Sequence, residues 1–448
     1  MTCYERTVLP GGVRVVTEEI PHVRSCSVGL WFSSGSRREL PEENGVSHFI
    51  EHLVFKGTER RTARQIAEEM DDVGGQLNAF TGRDHTCFYA KVLDEHVSIA
   101  IDILCDLVSR PLLTAEDVEK ERSVIAEEIG MYEDSPEEVV HDELARAAWG
   151  PSSLGLPILG TQKTLKRLTR DAIVAYMSSH YTAGNLVVAA AGSLKHARIV
   201  EEVESRLALP SAATDPLDTP RWRPAAHVFR PKNTEQAHIC VGVEGYSRNH
   251  PSRFALYVLD AVIGGGMSSR LFQKLREDFG LVYSTYTYAA SYEDVGAFVV
   301  YAATSPDNVN VVQDLILDEL AEVASNGIRQ EELDRGKEQL KSGLVLNLET
   351  TNSRMSRLGR LELFHEPLYT PDEVFKMIDD VTLGDVRRVA ADLLGKVAPV
   401  IAAVGPRRTK SAFGGRKPYG PGDRREAGVA PSCHRGTQRG ATLGDSTG

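Results

Sequence analysis

Apolar residues recur with a helical period between about residues 44 and 57. Val46, Phe49, Ile50, Leu53 and Val54 share one face and make an unbroken core stripe. Asn44 is the expected cap of this helix, and Gly57 its expected left-handed stop. The opposite face carries His48, Glu51 and His52. Imidazoles at i and i+4 stand about 6 Å apart, close enough to grip one ion, and a carboxylate between them points the same way. A bare His-x-x-x-His pair commonly decorates a solvated face. The order His-x-x-Glu-His is more specific, being the inverse of the commoner zinc-protease motif. A second helical period runs over 114–131, with Thr114 as cap and Asp117 three residues on. Its apolar stripe is Val118, Val124, Ile125 and Ile129, and Glu121 and Glu128 lie within it while Glu127 points away. Buried carboxylates are costly unless paired or bound to metal, so Glu121 and Glu128 should face something cationic: a metal, or a Lys or Arg.

Strand-like runs alternate with these helices. VRVVTEE from residue 13 and SCSVGLWFSS from residue 25 feed the histidine helix; Thr62 and Gln65 make a capping box for the next, which Gly74 and Gly75 stop. QLNAFTGRDHTCFYAKV reads as a hairpin whose first strand is Leu77–Thr81, either an exposed edge or an internal strand with Asn78 in a turn. The pattern then repeats. Residues 168–192 align without a gap on 381–405, each a capped helix followed by an apolar strand, and the helical segment from Leu113 resembles the one from Ile328. An offset of about 213 residues in both places implies duplication of a whole domain. The second copy of the histidine helix, RFALYVLDAVIGGG, has no histidine. The expected organisation is α+β, two homologous domains at 1–215 and 216–405, each a mixed or antiparallel sheet backed by helices. A Pro-rich linker from Leu209 joins them and a disordered basic Gly/Arg-rich tail occupies 406–448.

Composition narrows the function. The chain has 448 residues, too many for one core, and a net charge of −12; the tail carries nine basic residues against three acidic ones, which leaves the folded body more acidic still. Such a body suits cationic or extended peptides, and no nucleic-acid role is expected. The apolar stretches are strand-sized, the opening residues do not read as a secretory segment, and the protein is expected to be soluble, cytoplasmic and without membrane contact. Cys3, Cys26, Cys87, Cys105, Cys240 and Cys433 show no CxxC spacing and are expected to be reduced fillers. The triple glycine at 264–266 is not a phosphate loop, because no GKS or GKT follows.

GVSHFIEHLVFKGT at 45–58 and EKERSVIAEEI at 119–129, with 76 residues from His52 to Glu128, resemble the M16 (pitrilysin or insulinase) zinc peptidases, nearest the processing peptidase branch. The resemblance implies one zinc per chain on His48, His52 and Glu128, Glu51 as the base that activates water, and Glu121 as a supporting acid. It implies that Asn78 and Ala79 sit on the strand that pairs with substrate, and that Arg276 and Tyr283, seven residues apart, hold substrate and stabilise the oxyanion. Apart from the resemblance, Tyr283 reads as a strand aromatic and Arg276 as a surface charge. A chain of this length is half of the family's four-domain clamshell, which implies a homodimer enclosing a chamber for unfolded peptides. The rival expectations are a non-catalytic structural subunit derived from a processing peptidase, and a protease active only with a separate partner subunit.

Overall fold

The structure, a computed structural model, describes residues 4–211, 217, 219–395 and 398–413. The α+β fold is built on two sheets. Strands β1 (Tyr4–Val8), β2 (Arg14–Glu19), β3 (Ser25–Phe32), β4 (Gln76–Thr81), β5 (Thr86–Leu93) and β6 (Leu186–Gly192) form the first, in the order β1-β2-β6-β3-β5-β4. Strands β7 (His227–Pro231), β8 (Ala237–Gly245), β9 (Val282–Ser291), β10 (Gly296–Thr304) and β11 (Val400–Gly405) form the second, in the order β7-β11-β8-β10-β9. Without β1 the two orders are the same. Each has one parallel pair, β2 with β6 and β7 with β11, beside antiparallel neighbours. The duplication read from the sequence is therefore a duplication of topology. Thr169 and Thr382 cap the helices before β6 and β11, where the gapless alignment puts them.

One face of the first sheet is covered by α1 (Val46–Val54), α2 (Ala63–Asp72), α3 (Val97–Ser109) and α4 (Ala115–Asp134), around a core that includes Leu30, Phe32, Phe49, Ile50, Leu53 and Ile125. The helix that follows in each half crosses to the other half. From α5 (Pro136–Trp149), Val139, Val140, Leu144 and Trp149 pack with Cys240, Val299, Tyr301 and Val404 of the second sheet. From the helix Thr351–Leu363, Met355, Leu358 and Leu363 pack with Val16, Trp31, Val187 and Ala189 of the first. Each apolar side chain so buried contributes about 1.5–3 kcal/mol, so both sheets lose a covered face if the halves part. Close approach needs glycine here: a Cβ on Gly359 would lie 2.3 Å from Trp31 Nε1, and one on Gly29 2.5 Å from Met355 Sδ.

Several sequence expectations are corrected. The histidine helix is shorter than 44–57. It ends at Val54, three residues before Gly57, which lies at φ +138° in a bridge to Thr62. Val124 is 49 % exposed, because it sits about 240° around the helix from Val118; the buried stripe is Val118, Glu121, Ile125 and Ile129. The linker from Leu209 ends in a strand, since His227–Pro231 pairs with β11. At the start of the tail, Thr409–Ala412 is helical, Thr409 is buried, and Phe413 packs beside Phe229. Cys26, Cys87, Cys105 and Cys240 are free and buried as expected, whereas Cys3, Cys433 and the tail from 414 lie outside the described residues.

Candidate metal centre

The histidine helix is fixed at its start by a residue outside it. Gly45, not Asn44, is the cap position, at φ +98°, where a Cβ would stand 2.8 Å from Leu159 O. No side chain of the cap residue closes the helix. The carboxylate of buried Glu39 does so instead, accepting from the Gly45 N–H at 2.8 Å and the Ser47 N–H at 2.9 Å. Asn44 Nδ2 donates to the same carboxylate at 3.0 Å and to Pro157 O at 2.9 Å. Burial pushes the Glu39 carboxyl up to about 7, against the pull of the hydrogen bonds from Gly45, Ser47 and Asn44.

From that start α1 presents His48 and His52 with ring centres 4.7 Å apart, and α4 brings Glu128 to them. His48 Nε2 lies 3.6 Å from Glu128 Oε1, and His52 Nε2 lies 3.3 Å from Glu128 Oε2. One ligand atom from each residue falls within 4.8 Å of the others, and among the described residues this is the one group of three or more such side chains that could hold an ion. Ligand atoms arranged tetrahedrally at zinc distances stand roughly 3.3 Å apart, so the spacing fits that ion. The donor chemistry fits as well: burial, and next to it His52, lower His48 to about 4, which keeps a neutral imidazole there.

Glu121, buried in α4, accepts from His52 Nδ1 at 3.2 Å and from Lys56 Nζ at 2.8 Å. Of the sequence alternatives for this acid the structure shows the lysine, and it adds a hydrogen bond to His52. Glu127 is exposed. Glu51 points from α1 toward the end of β4. Burial raises its carboxyl and hydrogen bonds from Thr81 oppose the shift, while Oε2 is buried without a hydrogen-bond partner. β4 pairs with β5 on one side and, among the described residues, with no strand on the other. The edge reading of Leu77–Thr81 is the one the fold adopts. Asn78 is exposed there, with its Oδ1 accepting from the Ala79 N–H at 2.8 Å.

Arg276 and Tyr283 are brought together in the second half, on the turn into β9. Arg276 donates to Tyr283 O at 2.9 Å, its guanidinium stands 5.3 Å from the Tyr283 ring centre, and Tyr283 is 74 % exposed. Among the described residues no hydrogen bond or ion pair links this pair to His48, Glu51, His52 or Glu128. Three site residues escaped the sequence reading. Lys56, four residues beyond His52 and just past the end of α1, was within reach of a helical reading; Glu39 and Thr81 reach the site from outside the helix and carried no periodic signal.

Two helices that converge two imidazoles and a carboxylate beside a further acid make a centre of the metallopeptidase type. Comparison with known proteins says which type. The sequence profile described as insulinase (peptidase family M16) matches residues 14–162, and that of the peptidase M16 inactive domain matches residues 167–340. An uncharacterized zinc protease of Streptomyces coelicolor is 43 % identical over 416 residues, covering 91 % of this chain and 90 % of its own. The uncharacterized zinc protease YmxG of Bacillus subtilis is 44 % identical over 391 residues, covering 87 % and 95 %. The crystal structure of a protease from Helicobacter pylori superposes with a TM-score of 0.85 at 21 % identity, over 90 % of this chain and all of that one. A structure of a peptidase M16 inactive domain from Pseudomonas fluorescens also gives 0.85, at 20 % identity, over 90 % and 98 %. The chain belongs to the M16 peptidase family, among relatives named as zinc proteases. No helix of the described residues is long and apolar enough to cross a membrane.

Proposed function

We propose that this chain is a zinc-dependent endopeptidase that hydrolyses peptide bonds in extended or unfolded segments. The observation that carries the reading is the convergence of His48, His52 and Glu128 with Glu51 beside them and outside the ligand set. His48, His52 and Glu128 would hold the zinc, which would supply Lewis acidity there and lower the pKa of water. Glu51, outside the ligand set with an unpartnered oxygen and a raised carboxyl, would accept a proton beside the ion and return it to the leaving amine. Glu121 holds the Nδ1 side of His52, so that Nε2 is the atom offered to the ion. The open edge of β4 offers main-chain groups to an extended peptide, with Asn78 and Ala79 at the contact, and edge pairing of this kind selects unfolded segments. Arg276 and Tyr283 supply donors for developing negative charge, and we assign them to the zinc of a second copy in a homodimer. The test is metal content together with peptide-library cleavage by the purified chain. One zinc per chain, cleavage lost to a chelator and restored by zinc, is expected; a fully zinc-loaded chain that cleaves nothing contradicts the reading.

A further inference from the structure

We infer that Glu39 is a positioning residue for the metal centre: by capping α1 from outside the helix, it sets the direction of the His48 ligand. This rests on the reading of His48 as a ligand and goes beyond it. The two histidines are oriented by different means. His52 is gripped at Nδ1 by Glu121, whereas His48 Nδ1 is buried with no hydrogen-bond partner, so no side chain fixes its ring from behind. His48 stands in the first turn of α1, where backbone donors lack intrahelical acceptors and the course of the helix depends on its cap. Glu39 fills that need with both oxygens, one on Gly45 N–H and Asn44 Nδ2, the other on Ser47 N–H, next to His48. The surroundings permit little else. Leu159 O and Gly160 crowd Gly45, and Tyr176 OH holds Ser47 Oγ at 3.1 Å. A carboxamide at position 39 would turn an NH2 group toward one of these donors, and the first turn, with His48 on it, would have to shift.

The test measures zinc affinity of the full-length chain by competition with a chromophoric chelator, beside thermal melting of the zinc-free protein. Glu39→Gln should weaken zinc binding by about 10- to 100-fold, as loss of an orienting partner does elsewhere. Asn44→Ala, which leaves Glu39 in place and removes one donor from it, should weaken binding less and serves if Glu39→Gln does not fold. Val323→Ala, in the core of the second half, should lower the melting temperature and leave zinc affinity within about twofold. The absorption band of the cobalt(II)-loaded chain should change in the Glu39 and Asn44 variants only. The proposal is overturned if the capping variants lose no more affinity than Val323→Ala. A wild-type chain without zinc affinity, or one indifferent to His48→Ala, refutes the metal reading itself.

Discussion

In the first half Glu51 leans from α1 onto Thr81 of the edge strand β4; in the second, Asp260 leans from the helix Arg253–Gly264 toward Thr287 of the edge strand β9. Both carboxyls are raised by burial, Asp260 to about 6, and each has one buried oxygen without a partner. The acid beside the edge strand is thus common to both copies. What the second copy lacks is everything that would make it chemical. Its helix has no histidine, and in the alignment of the Leu113 and Ile328 segments Glu121 and Glu128 fall opposite Gly336 and Gly343. Gly336 sits against Val258, with room for a Cβ only 3.3 Å from its Cγ1, so helices that straddle the His48, His52 and Glu128 group in one half close on each other in the other. A buried acid alone is a cost; in the first half two imidazoles and a second carboxylate stand beside it, and under the proposed function that setting makes it a base beside an ion.

The largest break in this asymmetry should come from Glu128→Gln, which removes the ligand that α4 contributes. Zinc should be lost on dialysis and cleavage should fall to background, whereas Gly343→Glu in the second half should create no second zinc, as metal analysis of both variants would show. Next in size is Tyr283→Phe, expected to reduce kcat by about 10- to 100-fold with zinc content unchanged. Mixing inactive Glu51→Gln chains with inactive Arg276→Ala, Tyr283→Phe chains should restore part of the activity, because a mixed dimer holds one intact composite site; no recovery after demonstrated subunit exchange would put the two parts elsewhere. A smaller contrast lies within α4. Glu121→Gln should cost more activity than metal, and exposed Glu127→Gln should change neither.

The smallest effect sharpens the comparison from the other side. Asp260→Asn should leave zinc and cleavage untouched and alter only stability. Because the folded carboxyl lies above its unfolded value, the native state binds more protons between about pH 4 and 6, and wild-type stability falls as pH rises through that window. The variant should therefore be more stable than wild type at pH 8, by about 1–3 kcal/mol in unfolding free energy, and match it at pH 4.

Much of the centre was legible because helix period and chemistry coincide there. Five apolar residues put His48, Glu51 and His52 on one face, and the phase of α4 separated Glu128 and Glu121 from Glu127. The duplication was legible because a capped helix and an apolar strand recur at one spacing. The exchange of α5 and Thr351–Leu363 was not, since an apolar stripe says that a helix must be covered and not by which sheet. Glu39 was hidden for a related reason: caps are sought at the residue that opens the helix, and this one arrives from six residues earlier, with Asn44 holding it in place.

The central claim is that Glu51 is the base and not a ligand, and Glu51→Gln tests it most directly because the shape is kept and the proton acceptor removed. Zinc content and peptide cleavage should be measured on the same preparation. Zinc at wild-type occupancy with cleavage lowered by about 10²-fold or more is the predicted result; substantial cleavage at full zinc occupancy would contradict it.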